Sequence, residues 1–313
     1  MNNQELPVAR VVRQERGAWT VEMNSSTWLV EHVRGEVRPV AGDYVELRPG
    51  LEAIERVLPR RSVVVRRAAG SLGESQVLAA NADVALVVMG LDGDYNLRRL
   101  ERYLAMAAGG GMRAAVLLNK SDLMVGPEVR AAEVQRLGTG APVVVLSAIQ
   151  DDVGLLLGGL VEKGETAVLL GSSGAGKSTL VNRLLGREEQ TTGPVRAGDD
   201  RGRHTTTGRR LIAVPGGWSL IDLPGLREVG LMPGATALDA PFESIVELAK
   251  HCRFGDCTHT VEPGCAVRES AQPERLASFK KLQDETRFSD RQVAKRRQRA
   301  MRAFQRTERF NRW

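Results

Sequence analysis

Apolar and polar residues alternate along five short runs between Ala9 and Arg67. Alternation with a period of two is typical of strands that have one buried face. Glycine and proline residues separate the runs at the spacing of turns. The pattern predicts a small barrel of five strands, formed by ARVVRQE, AWTVEM, STWLVEHV, DYVELRP and AIERVLP.

The central part of the chain alternates between apolar strands and helices. VALVVMG is followed by LRRLERYLAMAA, AAVLLNK by VRAAEVQRLG, and TAVLLG by STLVNRLLG. Such alternation indicates a mostly parallel sheet that is covered by helices on both faces. From about Pro233 onward the sequence becomes helical and charged around a cysteine-rich insert. We therefore predict a multidomain protein with three parts.

Composition and charge narrow the classes of protein that fit this organisation. The chain has 313 residues, of which 42% are hydrophobic, and its opening MNNQELPVAR has no apolar run of the kind a signal peptide needs. No window approaches the roughly 20 apolar residues of a membrane span, so we expect a cytoplasmic protein. The net charge is +6, and the basic excess lies between Arg287 and Trp313, where ten Lys or Arg accompany two acidic residues.

A phosphate-binding loop is predicted between the strand TAVLL and the helix TLVNRLL. The stretch GSSGAGKS matches the pattern G-x-x-x-x-G-K-[ST]. In that pattern backbone amides surround the phosphates, Lys177 reaches the β- and γ-oxygens, and the Ser178 hydroxyl is a ligand for Mg²⁺. Such a loop serves ATPases, kinases and GTPases alike. Its predicted residues are Gly171, Ser172, Ser173, Gly174, Ala175, Gly176, Lys177, Ser178 and Thr179.

The base is predicted to be guanine because NKSD ends the strand AAVLLNK. The Asp122 carboxylate can accept hydrogen bonds from guanine N1 and from its exocyclic amine, whereas adenine would place a lone pair against it. Four such residues also occur by chance in solvated loops, but LSA at the end of the next strand adds a backbone amide for guanine O6. The predicted base-site residues are Asn119, Lys120, Ser121, Asp122, Ser147 and Ala148.

Two further motifs complete the predicted site. LIDLPGL places Asp222 at the end of a strand, as an outer-sphere residue of Mg²⁺, and offers the Gly225 amide to the γ-phosphate. GRHTTTG offers three threonines for closing over the metal. Thr206 is the preferred one, and Thr205 and Thr207 remain alternatives. The predicted magnesium residues are therefore Ser178, Thr206 and Asp222.

The base motif precedes the phosphate loop along this chain, which reverses the usual order in GTPases. Ligands of open α/β sheets bind outside the carboxyl ends of the strands. All nucleotide loops consequently lie at one edge, whatever the order in which the chain visits the strands. The order of the motifs indicates a circularly permuted GTPase, in which the segment after Asp222 runs directly into the carboxy-terminal region.

The chain resembles the circularly permuted ribosome-biogenesis GTPases of the RsgA/YjeQ type over nearly its whole length. Besides the motif order, the resemblance includes GDYVELRPG, VLPRRSVVVRRAAG, QVLAANAD, NLRRLERYL, GRHTTT, DLPGLRE and EPGC. It implies an OB-fold in residues 1–72, a circularly permuted P-loop GTPase domain in residues 73–232, and an α-helical zinc-binding domain with a basic tail in residues 233–313. It also implies action on the late-maturing small (30S) ribosomal subunit, which stimulates slow intrinsic hydrolysis.

A histidine is the candidate for orienting the attacking water. Many GTPases have a glutamine in the position where Leu226 follows Gly225 here. His204 lies two residues before Thr206, and the family resemblance points to the same histidine. The competing interpretation is a surface-loop histidine without a catalytic part. The predicted catalytic residues are His204, Lys177 and Thr206.

All three cysteines fall within CRFGDCTHTVEPGC. Three thiolates and one imidazole fill a tetrahedral site without an open position, which is typical of structural zinc. An odd number of cysteines argues against a purely intrachain disulfide framework. His251 adjoins the first cysteine and is less suited, because neighbouring side chains seldom reach the same metal. The resemblance implies one zinc per chain, with the ligands Cys252, Cys257, His259 and Cys265.

Two segments could contact RNA. Small OB barrels present a face and loops to nucleic acids, and RQVAKRRQRAMRAFQRTERFNRW could supply phosphate contacts and stacking by Phe304, Phe310 and Trp313. OB barrels also bind proteins, however, and a basic helix is often a solvated face or a membrane-surface segment. The expected partners are GTP or GDP, the 30S subunit with its 16S rRNA, and other assembly factors; we expect a monomer without a membrane partner.

Three functions fit these features. The preferred one is a Mg²⁺-dependent GTPase that acts as an assembly checkpoint on the small ribosomal subunit. The second is a GTP-sensing RNA- or protein-binding adaptor in which hydrolysis is incidental. The third, a GTPase associated with anionic membranes, rests only on the basic tail.

Overall fold

The amino-terminal runs form the predicted strands of the barrel. The computed structural model describes residues 6–15, 17–67, 75–187, 209–223 and 238–310. Within the barrel the third run is interrupted at Glu31, so that six strands result: β1 (Val8–Gln14), β2 (Trp19–Met23), β3 (Ser26–Val30), β4 (His32–Val33), β5 (Tyr44–Leu47) and β6 (Ala53–Val57).

The barrel closes through β4. Strand β1 pairs antiparallel with β2 and β5, while β2 pairs with β3 and β5 with β6. Strand β4 continues β3 and runs parallel to β6, with His32 opposite Ala53. If β3 and β4 are counted as one interrupted strand, this closed order of five strands is that of an OB-fold. Its interior contains the fully buried side chains of Val11, Val21, Val45, Leu47 and Ile54.

The central strands form the predicted, mostly parallel sheet. The strands are β9 (Val84–Gly90), β10 (Arg113–Asn119), β11 (Val143–Val145), β12 (Thr166–Leu170), β13 (Arg209–Val214) and β14 (Trp218–Asp222). Their spatial order is β11, β10, β9, β12, β14, β13, and all neighbours are parallel except β13 with β14.

Helices cover both faces of this sheet. Every residue of β9 is buried, because its alternate side chains enter two different apolar cores. The helices are α1 (Leu97–Gly109), α2 (Glu128–Gln135), α3 (Val153–Gly158) and α4 (Lys177–Leu185). Val87 and Met89 belong to the core that contains α1 and α2, whereas Leu86 and Val88 belong to the core that contains α3 and α4.

The barrel and the central sheet are joined edge to edge. Strand β13 pairs antiparallel with β1, which places Arg210 opposite Arg13 and produces one continuous 12-stranded sheet. A separate hairpin of β7 (Val63–Arg67) and β8 (Ser75–Ala80) follows the barrel. The alternation of apolar residues did not predict this hairpin. The domain boundaries given above stay predictions.

The carboxy-terminal region is helical, as predicted. It contains α5 (Glu243–Ala249), α6 (Ala266–Ser270) and the 38-residue α7 (Pro273–Phe310). Phe279 and Leu282 of α7 pack into the same apolar core as α1, and the Glu285 carboxylate lies 2.6 Å from Nη2 of Arg102. Within the described ranges, no helix combines the length and the apolar character that crossing a bilayer requires.

A buried arginine connects α7 to the central domain. Arg275 Nε lies 3.3 Å from Oε1 of Glu101, and both side chains are largely inaccessible. The same guanidinium donates to the Pro241 carbonyl and to Ser244 Oγ, each at 3.0 Å, and also to the Leu137 carbonyl. Burial raises the pKa of Glu101, although Ser278 and Arg275 oppose this effect. Arg275 therefore connects α7 to α1 and to the segments at Leu137 and Pro241, in addition to the Arg102–Glu285 pair.

Arg275→Ala should lower the free energy of unfolding, because it leaves Glu101 buried without its partner. Breaking a buried pair in this way costs about 3 kcal/mol, so the midpoint of thermal unfolding should fall by several degrees. Lys281→Ala, at an exposed position of the same helix, is the matched control. Adding Glu101→Gln should recover part of the loss because the buried charge is removed; a double variant no more stable than Arg275→Ala would contradict this explanation.

Candidate nucleotide site and cysteine cluster

The carboxyl ends of the central parallel strands bring the predicted nucleotide motifs to one edge of the sheet. Asn119, the last residue of β10, lies opposite Gly90, the last residue of β9. Strand β12 ends at Leu170, directly before the phosphate loop, and β14 ends at Asp222. This edge is where ligands of open α/β sheets bind.

The side chain of Asn119 ties three loops together. Its Nδ2 donates to the Ala175 carbonyl of the phosphate loop at 2.9 Å, and its Oδ1 accepts from the Ala148 amide at 3.0 Å. The residue is 1% exposed. A Cβ at Gly176 would approach Asn119 Nδ2 to 2.1 Å, which explains why this loop position is a glycine.

The residues predicted to read the base are also adjacent. Asp122 lies in a 3-10 turn, Ser121–Leu123, and its Oδ1 accepts from Ser147 Oγ at 2.5 Å. The Ser147 amide in turn donates to Asp151 Oδ2 at 2.7 Å. Lys120 precedes the turn in a left-handed conformation, with φ of 66°. The Asp122 side chain is exposed at this edge.

The phosphate loop surrounds the ammonium of Lys177. Lys177 Nζ donates to the Gly171 carbonyl at 2.8 Å and to the Ser172 carbonyl at 2.5 Å. Burial lowers the pKa of Lys177 to about 8, although the nearby carboxylates of Asp94 and Asp222 oppose it. A Cβ at Gly171 would approach the Val88 carbonyl oxygen to 2.4 Å, so the loop lies directly against β9.

The remaining phosphate-site residues lie at the start of α4 and at the end of β14. Ser173 and Gly174 are exposed at the tip of the loop, while Ser178 and Thr179 lie in the first turn of α4. Asp222 is buried and is close enough to Lys177 to affect its pKa. The predicted residues His204, Thr206 and Gly225, together with Thr205, Thr207 and Leu226, lie outside the described residues.

Two acidic residues of the loop after β9 also belong to this edge, and the sequence reasoning missed them. Asp92 contacts Lys120, and Asp94 contacts Ser172. The available signal was the pair of carboxylates in GLDGDYN, directly after a buried strand. Carboxylates in turns are common, so the pattern alone did not single them out.

The four predicted metal ligands converge in the carboxy-terminal region. The ligand atoms of Cys252, Cys257, His259 and Cys265 all lie within 4.8 Å of one another. Sγ of Cys252 lies 3.9 Å from Sγ of Cys265, and His259 Nδ1 lies 3.6 and 3.4 Å from these two sulfurs. Tetrahedral zinc has similar edges, about 3.8 Å between thiolates and about 3.6 Å between thiolate and imidazole. The cluster could therefore hold one zinc ion, and His251 is not part of it.

The fold and this edge together define a P-loop nucleotide-binding protein whose base motif precedes its phosphate loop. The family model described as RsgA GTPase matches residues 57–232. The chain therefore belongs to the RsgA GTPase family, as the motifs predicted, and is a GTPase.

Curated relatives and solved structures agree with this assignment. The small ribosomal subunit biogenesis GTPase RsgA of Opitutus terrae is 47% identical over 273 residues, covering 82% of this chain and 74% of the relative. The protein of the same name from Xanthomonas oryzae pv. oryzae (strain PXO99A) is 41% identical over 308 residues, covering 94% and 84%.

Two solved structures share the fold. YjeQ from Thermotoga maritima has a TM-score of 0.64 at 23% identity and covers 89% of this chain and 98% of its own. YloQ, a circularly permuted GTPase, has a TM-score of 0.63 at 20% identity and covers 93% and 97%. The permuted fold predicted from the motif order is thereby confirmed.

GDP binding should weaken as the pH rises from 7.5 to 8.5, because phosphate binding favours the charged form of Lys177. With a free pKa of about 8 and a higher pKa in the complex, the affinity should fall roughly threefold over this interval. The interval lies above the titration of the terminal phosphate and below that of guanine N1. Calorimetry in buffers of different ionisation enthalpy should detect proton uptake on binding; its absence, with a constant affinity, would contradict the shifted pKa.

Proposed function

We propose that this GTPase depends on Mg²⁺, binds the small (30S) ribosomal subunit and acts as a late assembly checkpoint, with subunit-stimulated hydrolysis driving its release. The observation that carries the nucleotide part is the buried Asn119 amide, which connects the NKSD turn to the phosphate loop and to Ala148. Such a fixed arrangement suits one ligand that spans a base site and a phosphate site. The names of the curated relatives support the ribosomal part.

The proposed roles follow from the chemistry of each side chain. Asp122 accepts the guanine N1 and amine hydrogens, and its hydrogen bond from Ser147 fixes the carboxylate for that purpose. Lys177 lies at the phosphate loop, where its ammonium can pair with β- and γ-oxygens. Gly225 donates to the γ-phosphate, and His204 orients the attacking water. Leu226 has no polar group that could orient water.

Magnesium would be held between the start of α4 and the end of β14. Ser178 and Asp222 provide hard oxygen donors there, which suit a Mg²⁺ ion that retains several of its waters. Thr206 is proposed as the residue that closes over the metal. When bound, Mg²⁺ neutralises the charge that develops on the transferred phosphoryl group.

Zinc is proposed as a structural ion of the carboxy-terminal region. Its four ligands would be Cys252, Cys257, His259 and Cys265, whose mutual distances fit a closed tetrahedral site. Lys280 of α7 donates to the His259 carbonyl, so the cluster is attached to the helix that continues into the basic sequence. Metal binding would therefore stabilise the position of α7.

The basic sequence and the barrel are proposed to contact 16S rRNA. Residues from Arg287 onward carry ten Lys or Arg and two acidic residues, and thus account for the basic excess of the chain. On the barrel, a cavity of about 510 Å³ is lined by Arg34, Arg38 and Arg48, together with Glu31 and Glu52. The basic sequence suits the phosphate backbone of RNA, which is recognised largely through positive charge, and the three arginines of the cavity would add contacts of the same kind.

GTP turnover with and without purified small and large subunits tests the function. Small subunits should accelerate turnover, whereas a GTP-sensing adaptor should bind them without acceleration.

Affinity for the small subunit should be higher with a non-hydrolysable GTP analogue than with GDP. By linkage, the subunit must then favour the GTP-bound conformation to the same extent.

His204→Ala should retain GTP-dependent binding to the subunit but lose the stimulated rate by a factor of about 100 or more, as expected for a lost water-orienting group. His204→Gln should recover part of the rate, because a glutamine amide can orient water. If His204→Ala is stimulated as strongly as the wild type, the histidine has no catalytic part and another group orients the water.

Cys257→Ser should lose the metal and destabilise the carboxy-terminal region, because folding of such a site is coupled to metal binding. Elemental analysis of the wild type should give about one zinc per chain. GDP binding should be largely retained, since the cluster is separate from the nucleotide edge. A wild-type protein that contains no metal, and whose melting profile does not change when zinc is added, would exclude a structural zinc.

A further inference from the structure

The loop between β9 and α1, residues 91–96, contacts both halves of the candidate nucleotide site. It carries two carboxylates, Asp92 and Asp94, that belong to none of the nucleotide motifs. Its start is fixed by the Leu91 amide, which donates to the Asn119 carbonyl at 2.8 Å. A Cβ at Gly90 would approach Asp92 Oδ1 to 2.6 Å, so the chain leaves β9 in close contact with the first carboxylate.

Asp92 fixes the lysine of the base motif. Its Oδ2 lies 2.6 Å from Lys120 Nζ, and its Oδ1 accepts from the Asp94 amide at 3.1 Å. Burial alone would raise the pKa of Asp92, but the hydrogen bonds from Lys120 and from the Asp94 amide leave it below its ordinary value. With its backbone left-handed and its ammonium paired, Lys120 is held at both ends. Less rotamer entropy is then lost when its stem packs on a base.

Asp94 fixes the start of the phosphate loop. Ser172 Oγ lies 2.7 and 2.6 Å from the two oxygens of Asp94, and the Ser172 carbonyl accepts from Lys177 Nζ. Arg99, in the first turn of α1, lies 2.6 Å from Oδ1 of Asp94. The guanidinium offsets the carboxylate charge, so that an acidic residue can lie beside the loop without repelling phosphates as strongly as an unpaired one would.

We propose that Asp92 and Asp94 are positioning residues with separate roles: Asp92 orders Lys120 for the base, and Asp94 orders Ser172, and with it the phosphate loop, for the phosphates. Neither acts on the nucleotide directly. The inference rests on the proposed guanine-nucleotide site and adds to it the residues that order its two halves.

The separation of roles predicts two different affinity profiles. Asp92→Ala should weaken GMP, GDP and a non-hydrolysable GTP analogue by the same factor, roughly tenfold, the equivalent of one charge-assisted hydrogen bond. Asp94→Ala should weaken GDP and the GTP analogue by about tenfold and GMP by clearly less, since the β- and γ-oxygens that Lys177 reaches are absent from GMP. Affinities can be measured by competition with a fluorescent GDP, and Asp284→Ala, at an exposed position of α7, is the matched control.

Double-variant cycles test whether each carboxylate acts through its partner. Ser172→Ala should reproduce the affinity profile of Asp94→Ala, and the double variant should lose little more affinity than either single variant. Likewise, Lys120→Ala should reproduce the profile of Asp92→Ala, and combining these two should add little further loss. Asp92→Glu and Asp94→Glu should recover part of the affinity. Melting curves of all variants identify those that lose affinity only because they unfold.

Several outcomes would overturn the inference. Tighter binding of the GTP analogue by Asp94→Ala would mean that this carboxylate only repels phosphate, and additive losses in both cycles would mean that the contacts carry no coupling. Variants indistinguishable from Asp284→Ala would exclude a positioning role while leaving the nucleotide site intact. Absence of guanine-nucleotide binding by the wild type would overturn both the inference and the proposed site.

Discussion

The buried amide of Asn119 is the interaction on which the candidate nucleotide edge depends. It donates to the phosphate loop at Ala175 and accepts from Ala148, so the loops after β10, β11 and β12 have fixed relative positions. Leaving either Nδ2 or Oδ1 of Asn119 buried without its partner would cost roughly 1–3 kcal/mol of folding free energy. These contacts act through space, which is why the motifs form one edge even though the chain visits them in permuted order.

Helix α1 connects this edge to the carboxy-terminal region. The 91–96 loop that precedes it contacts Lys120 and Ser172, while Glu101 and Arg102 on the helix pair with α7. The 91–96 loop and the first turns of α7 both contribute to the apolar core that packs on the central sheet. The part of α7 up to Glu285 is therefore packed against the central domain, and it cannot move independently of α1 without separating buried charges.

The cysteine cluster is also packed against α7. Cys252 and Cys257 pack against the core that contains α7, Cys265 is buried within it, and Lys280 contacts the His259 carbonyl. The short helices α5 and α6 are linked by an irregular segment with few apolar residues. A closed metal site is a common means of stabilising such a segment, because ligand bonds replace a hydrophobic core.

The sequence by itself determined most elements and the identity of the nucleotide and cysteine motifs. The strands of the barrel, the strands β9, β10 and β12, and the helices α1 and α4 were all predictable, since a period of 2 or 3.6 is a local property of the chain. The position of the nucleotide loops at one edge of the sheet was predictable as well, because parallel strands have their carboxyl ends on one side. Tertiary structure alone decided the pairing of β1 with β13, the β7–β8 hairpin and the partners of Asp92, Asp94 and Arg275. Asp94 meets Ser172 across 78 residues of sequence, because the parallel pairing of β9 with β12 places the segments that follow these two strands side by side.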